Sequence, residues 1–283
     1  MAQKHTHHHH DHHEGGHHGE AGLADVLDLD AEVLGSYLDE VIEWVAGYAP
    51  AAPRTIADVG AGTGTGLLAL ARRFQQADLV AIDQSPLLLE RLGAKALQQG
   101  LTERLRIVET DLDAASPPIG TADLAWAASS LHHVKDPDRL LGDLHEALTP
   151  GGLLVVIEMD ALPRFLPDDL GIGRPGLETR CHDAAAQERW NAHPNWGPYL
   201  ERAGFEVVQE RSFPIAVSPA PPSAGRYAHT MLSAMRFGVG DRLAADDLHA
   251  LDRLLADDSA ESLLRRTDLT VRGSRTAWAA RRH

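Results

Sequence analysis

The chain has 283 residues, 43% hydrophobic and 24% charged, an ordinary globular composition that excludes collagen-like, coiled-coil and wholly disordered classes. A formal charge of −15 repels a phosphate backbone, so no nucleic-acid partner is expected. One cysteine, Cys181, cannot form an internal disulfide or a zinc ribbon. No apolar run reaches the ~18 residues of a membrane span, and no signal-peptide pattern opens the chain, so a cytoplasmic protein without a membrane partner is expected.

Residues 1–20 hold nine of the 17 histidines and no apolar periodicity. They read as a disordered tail, whose imidazoles would take up divalent metal adventitiously rather than in a built site. Residues 21–283 read as a single domain. Leu34, Leu38, Val41, Val45 and Tyr48 recur at helical spacing within 28–48, and Pro50 and Pro53 end that helix. From 54 to 160 strands and helices alternate. Strands are expected at 55–59, 79–83, 105–110, 123–127 and 153–159. Ser85-Pro86 and Asp136-Pro137 each open a helix, and Pro150-Gly151-Gly152 separates the last helix from the last strand. Apolar strands without clean alternation are buried on both faces, so the expected fold is α/β: a doubly wound, Rossmann-like, mostly parallel sheet.

Residues 161–182 are crowded with Pro, Gly, Asp and Arg and read as a lid or a disordered insertion. A broken helix is expected over 183–203, a strand at 206–213, helices at 224–237 and 246–256, and a terminal strand at 274–282. The stretches 161–203 and 214–272 are thus candidate helical insertions over a pocket.

The most informative residues are Asp58-Val59-Gly60-Ala61-Gly62-Thr63-Gly64, between the first strand and its helix. A glycine-rich turn there lets a ligand approach the backbone and aims helix N–H groups at it. The dinucleotide spacing fails, because Thr65 stands five after Gly60 and Leu67 five after Gly62; a P-loop Gly-Lys-Ser/Thr is also absent. Asp58 suits a cationic ligand better than a pyrophosphate. Asp83, closing the second strand, is placed to accept two ribose hydroxyls, or serves only as a helix N-terminal acid. Asp111 closes the third strand beside Leu112.

These residues resemble the class I S-adenosylmethionine-dependent methyltransferases. The resemblance is carried by the Asp58, Gly60, Gly62, Gly64 turn, by Asp83, by Thr110-Asp111-Leu112, and by the run 123–160. It is closest to the small-molecule branch and implies seven strands ending in an antiparallel pair. It implies that Asp58 reaches the ammonium of S-adenosyl-L-methionine, that Gly60, Ala61, Gly62 and Gly64 give the cofactor backbone access, and that Asp83 holds its ribose. Gln84, Asp111, Leu112 and Ala128 would surround the rest. Ala127-Ala128-Ser129-Ser130 stands where base and glutamine methyltransferases carry Asn-Pro-Pro-Tyr, and no catechol-type metal triad is visible, so no metal is expected at the site.

The expected chemistry is transfer of a methyl group to an O or N atom of a small-molecule acceptor. Such an acceptor must shed a proton, which calls for a base. His132 and His133 follow the fourth strand; either is a candidate base or a structural cap, with His132 favoured because it comes first. Glu158 and Asp160 are candidates to hold the acceptor, or are solvated strand ends. Arg174, Arg180 and His182 could close over an acidic acceptor, or belong to a solvated loop. Trp190 and Trp196 form an aromatic wall or, more simply, core. Two other readings stay open: a non-catalytic cofactor-binding module on the same fold, and a metal-handling protein acting through its tail.

Overall fold

A computed structural model describes residues 13–283. The chain opens with α1 (His13–Val33) and α2 (Gly35–Ala46), a pair of helices where the periodicity predicts one over 28–48. The expected disordered tail lies outside the described residues over 1–12. Over 13–20 it is corrected: the backbone is the opening of α1. Once a packed helix exists, each added residue gains a hydrogen bond without a new nucleus, so polar residues continue it. From Ala24 onward α1 has an anchor, since Ala24, Leu29 and Val33 are buried.

β1 (Thr55–Val59), α3 (Thr65–Arg73), β2 (Asp78–Asp83), α4 (Pro86–Gln98), β3 (Leu105–Glu109), β4 (Ala122–Ala128), α5 (Pro137–Ala147) and β5 (Leu148–Met159) follow in the expected alternation. The expected starts hold for a local reason. The Ser85 side chain accepts from the Leu88 N–H at 3.4 Å and Asp136 from the Arg139 N–H at 3.0 Å, with proline at the first helical position in both. Pro150-Gly151-Gly152 is not a separate loop. β5 already starts at Leu148, and the register shifts between the Ala122 and Leu124 pairs.

Beyond β5 come α6 (Leu177–Gln187), α7 (Gly197–Arg202), β6 (Phe205–Val217), α8 (Ala224–Val239), α9 (Ala245–Leu255) and β7 (Val271–Arg282). The segment before α6 is not disordered. Phe165, Leu166 and Leu170 are buried, and Glu178 accepts the Phe165 and Leu166 N–H groups at 2.7 and 3.0 Å. Arg174 and Arg180 do not wait for an acceptor; both grip buried Asp247 of α9, at 2.7 and 2.8 Å. His182 is buried, and burial pushes its imidazole down to about 4. Trp196 lies in the core.

The seven strands form one sheet in the order β3-β2-β1-β4-β5-β7-β6. β1 through β5 pair in parallel, whereas β7 runs antiparallel to both β5 and β6, so the sheet is mixed. Ile56, Leu124, Val155 and Ile157 face α1–α3, α6, α8 and α9; Ala57, Ala125, Leu154 and Val156 face α5 and α7. The order reverses at β1 and β4. Their carboxyl ends splay apart there and open a crevice. No helix among the described residues is long and apolar enough to cross a membrane.

Candidate active site

The crevice is a cavity of about 660 Å³. Its floor is the turn after β1. Gly60 and Gly62 adopt φ of +79° and +53°, and their loop is pinned by Gly60 and Ala61 N–H groups donating to Ile82 at 2.9 Å. Space dictates glycine at 60, where a Cβ would stand 2.4 Å from the Ser130 Cβ. Ser130 in turn donates to the Val59 carbonyl at 2.7 Å, tying the loop after β4 to the end of β1. Beside it Ser129 holds φ +51°, an unusual angle for a side-chain-bearing residue, while its N–H donates to Ile157 at 2.8 Å.

Asp58, Gly60, Ala61, Gly62, Asp83, Gln84, Asp111, Leu112, Ala128 and His133 all line this cavity. Gly64 does not. Its φ of +83° starts α3, and a Cβ there would meet the Leu92 side chain at 2.6 Å, so glycine lets α3 and α4 approach.

Asp58 is 2% exposed and has no cationic partner among the described residues. Burial, and then the nearby Asp83 carboxylate, push its carboxyl up to about 8. Asp83 is differently served. Its Oδ2 accepts the Gly62 N–H at 2.8 Å and its Oδ1 the Ser85 N–H at 3.0 Å, which leaves each oxygen a lone pair. Asp111 is exposed, with Oδ1 accepting the Asp113 N–H at 2.9 Å.

The histidine expectation is reversed. His133, not His132, lines the cavity. His132 lies behind it, ring centroids 4.0 Å apart, with Nδ1 2.8 Å from Glu158 Oε2. Glu158 is fully buried and does not reach the cavity. Strand parity explains this: Ile157 and Met159 face the cavity, so Glu158 must face α5. Asp160 accepts from Thr276 at 2.7 Å on an exposed edge. Burial, then the neighbouring His132, lower the basicity of His133.

Sequence reasoning missed the rest of the wall. Leu23, Val26, Leu27 and Asp30 come from α1, Tyr37 and Leu38 from α2, Tyr227 and Met231 from α8, and Arg275 from β7. Trp126 closes the far side of the turn, and Gly66 makes room for its indole. Only Trp126 carried a signal, its parity with Ala128 on β4.

Residues 57–154 match the model of a family described as a methyltransferase domain. Methyltransferase str3 of Strobilurus tenacellus is 29% identical over 197 residues, covering 66% of this chain and 67% of its own length. Trans-aconitate 2-methyltransferase of Pseudomonas aeruginosa is 32% identical over 157 residues, covering 50% and 54%. The chain spans between 36% and 67% of the length of these and similar curated relatives. A methyltransferase of Thiobacillus denitrificans, solved with S-adenosyl-L-homocysteine, superposes with a TM-score of 0.50 at 16% identity, covering 88% of this chain and 91% of its own, and shares the fold. The matched segment, the sheet order and the glycine turn beneath three strand-end carboxylates give the chain the fold of the class I S-adenosylmethionine-dependent methyltransferases.

Proposed function

We propose that the protein transfers a methyl group from S-adenosyl-L-methionine to an O or N atom of a small-molecule acceptor. The observation that carries this is Asp58: a buried carboxyl group with no cation beside it among the described residues, at the mouth of a glycine turn. A buried carboxylate without a counter-charge is costly, and a ligand ammonium removes that cost. The donor set around it also fits. Asp83 keeps two lone pairs for a pair of ribose hydroxyls, Gly60–Gly62 present backbone, and Asp111 and Leu112 border the same cavity, where the adenine would lie. When bound, the cofactor supplies an electrophilic methyl group on a sulfonium.

The protein's own share is alignment and proton management. His133 at the cavity wall takes the acceptor's proton. His132, held by Glu158 at 2.8 Å, packs its ring at a tilt against that of His133 and acts as a positioning residue. The cavity is roofed by α1 and α8, the latter within the 214–272 insertion.

Titration calorimetry tests the cofactor, and S-adenosylhomocysteine release over a panel of phenols, amines and carboxylates tests turnover. Micromolar binding of S-adenosylhomocysteine, weakened several-fold to a hundredfold by Asp83→Ala, is expected. Binding of NAD in its place refutes the proposal. Binding without turnover of any acceptor leaves a cofactor-binding module.

A further inference from the structure

α1 lies across the glycine turn. Its Leu27 Cδ1 stands 3.1 Å from where a Gly62 Cβ would be, and Leu23, Val26 and Leu27 line the cavity beside that turn. A ligand seated on the turn is therefore covered by α1. The covering residues are not core: between Leu23 and Asp30 only Ala24 and Leu29 are buried, and Leu23 is 49% exposed. Leu23, Val26 and Leu27 present apolar surface to whatever fills the cavity.

Charge supplies much of what holds this stretch in place, and its two ends are held differently. At the carboxyl end Asp30 Oδ1 accepts from Arg275 Nη2 of β7 at 2.5 Å and from the Tyr227 hydroxyl of α8 at 2.7 Å. That ion pair is mostly buried, with side chains 15% and 20% exposed. Toward the amino end the partner is α4. Arg91 Nη1 donates to Asp25 Oδ1 at 2.7 Å and to Asp28 Oδ2 at 3.2 Å, and Lys95 pairs with Asp28. These four side chains are 30% to 56% exposed. Lys95 also donates to the Thr63 carbonyl at 3.2 Å, which ties the same contact to the turn that α1 covers. Exposed ion pairs are weak and salt screens them, whereas a partly buried pair is screened much less. The helix leading into the exposed end adds little, because residues 13–22 include four glycines, each costly in a helix.

We propose that the amino-terminal part of α1, through Asp28, is a lid that tilts about the Asp30 anchor to exchange the cofactor, and that the pairs of Asp25 and Asp28 with Arg91 and Lys95 are its latch; the proposal rests on the methyltransferase reading above. A cofactor that touches Leu23, Val26 and Leu27 only in the closed form shifts the lid shut. Opening breaks the latch and returns those three side chains to water, so both contacts slow release. The latch is exposed and electrostatic, so ionic strength sets how long the cofactor stays.

The test follows release of tritium-labelled S-adenosylhomocysteine from the full chain into an unlabelled excess, at about 20 mM and about 500 mM NaCl. Wild type should release about five- to tenfold faster at the higher salt. Asp25→Asn with Asp28→Asn leaves the Lys95 contact to the turn in place; it should release at low salt about as fast as wild type does at high salt, with a salt response of about twofold or less. Screening of Asp58 against the ligand is common to both proteins and cancels in the comparison. Arg91→Gln with Lys95→Gln, which removes the latch from the α4 side, should behave alike, with circular dichroism and Tm confirming that both variants fold. Hydrogen exchange of the 22–30 amides should slow when S-adenosylhomocysteine binds. A wild-type rate that salt changes by less than about twofold, an equal salt response in the Asp25→Asn, Asp28→Asn variant, or α1 amides indifferent to the ligand overturns the proposal. Failure of S-adenosylhomocysteine to bind at all overturns the methyltransferase reading and the lid with it, whereas binding with salt-insensitive release overturns the lid alone.

Discussion

With Asp58 as the proposed partner of the cofactor ammonium, proton release should report cofactor binding directly. Its carboxyl sits at about 8 in the ligand-free protein, so at pH 7 about one molecule in ten is ionised there. An ammonium beside it favours the carboxylate, and binding at pH 7 should expel about 0.9 proton, falling toward 0.1 at pH 9. Ionising Asp58 at pH 7 costs about 1.4 kcal/mol, one unit of pH below its midpoint. A charge-assisted hydrogen bond returns ~1.5–3 kcal/mol. Asp58→Asn should therefore weaken binding by no more than about tenfold at pH 7, and by about 10–150-fold at pH 9, where wild type is already ionised. The sign for stability is opposite. A carboxyl raised in the folded state makes the ligand-free fold lose stability as pH rises from the unfolded value near 4 through 8, so Asp58→Asn should raise Tm at pH 8–9. The assay is calorimetry of S-adenosylhomocysteine in two buffers of different ionisation enthalpy, on both proteins; the ligand's own amine cancels in the difference. Equal proton release from wild type and Asp58→Asn at pH 7 would refute the assignment of Asp58 to the ammonium.

His133→Ala should cut turnover by roughly 10²–10⁴ with normal cofactor affinity. Because its imidazole is depressed by burial and by His132, wild-type kcat should fall on the acid side only below pH 6.5, and a limb centred above 7 would exclude it as the base. Glu158→Gln acts through His132: it should lower kcat more than it raises KM and shift the acid limb, whereas a merely structural change would move only Tm. Gly60→Ala combines a left-handed backbone with a Cβ 2.4 Å from Ser130, so cofactor binding should be lost in a chain that still folds by circular dichroism. Asp247→Ala strips two arginines of their buried partner and should lower stability by ~2–4 kcal/mol in urea. The Arg180 and Arg174 hydrogen bonds hold the Asp247 carboxyl below its ordinary value, so that contribution persists above pH 4 and fades as pH falls further.

The wall of the cavity around the glycine turn was legible in the chain because it is built from consecutive residues at strand ends. Asp58, the turn from Gly60 to Gly62, Asp83, Asp111 and Leu112 each follow a recognisable strand, and every parallel βα unit delivers its strand end to the same edge of the sheet. Ser85-Pro86 and Asp136-Pro137 were likewise decided within four residues. The opposite wall of the cavity has no such local grammar. Asp30, Tyr37, Tyr227 and Arg275 lie far apart in sequence and meet only because β7 runs antiparallel beside β5 while α1 and α8 close over that face. The choice between His132 and His133, and the withdrawal of Glu158 from the cavity, also waited on the fold. Alternation along β5 puts Glu158 opposite Ile157 and Met159 in any structure, but only the packing of α1 and α8 against one face determines which side holds the cavity.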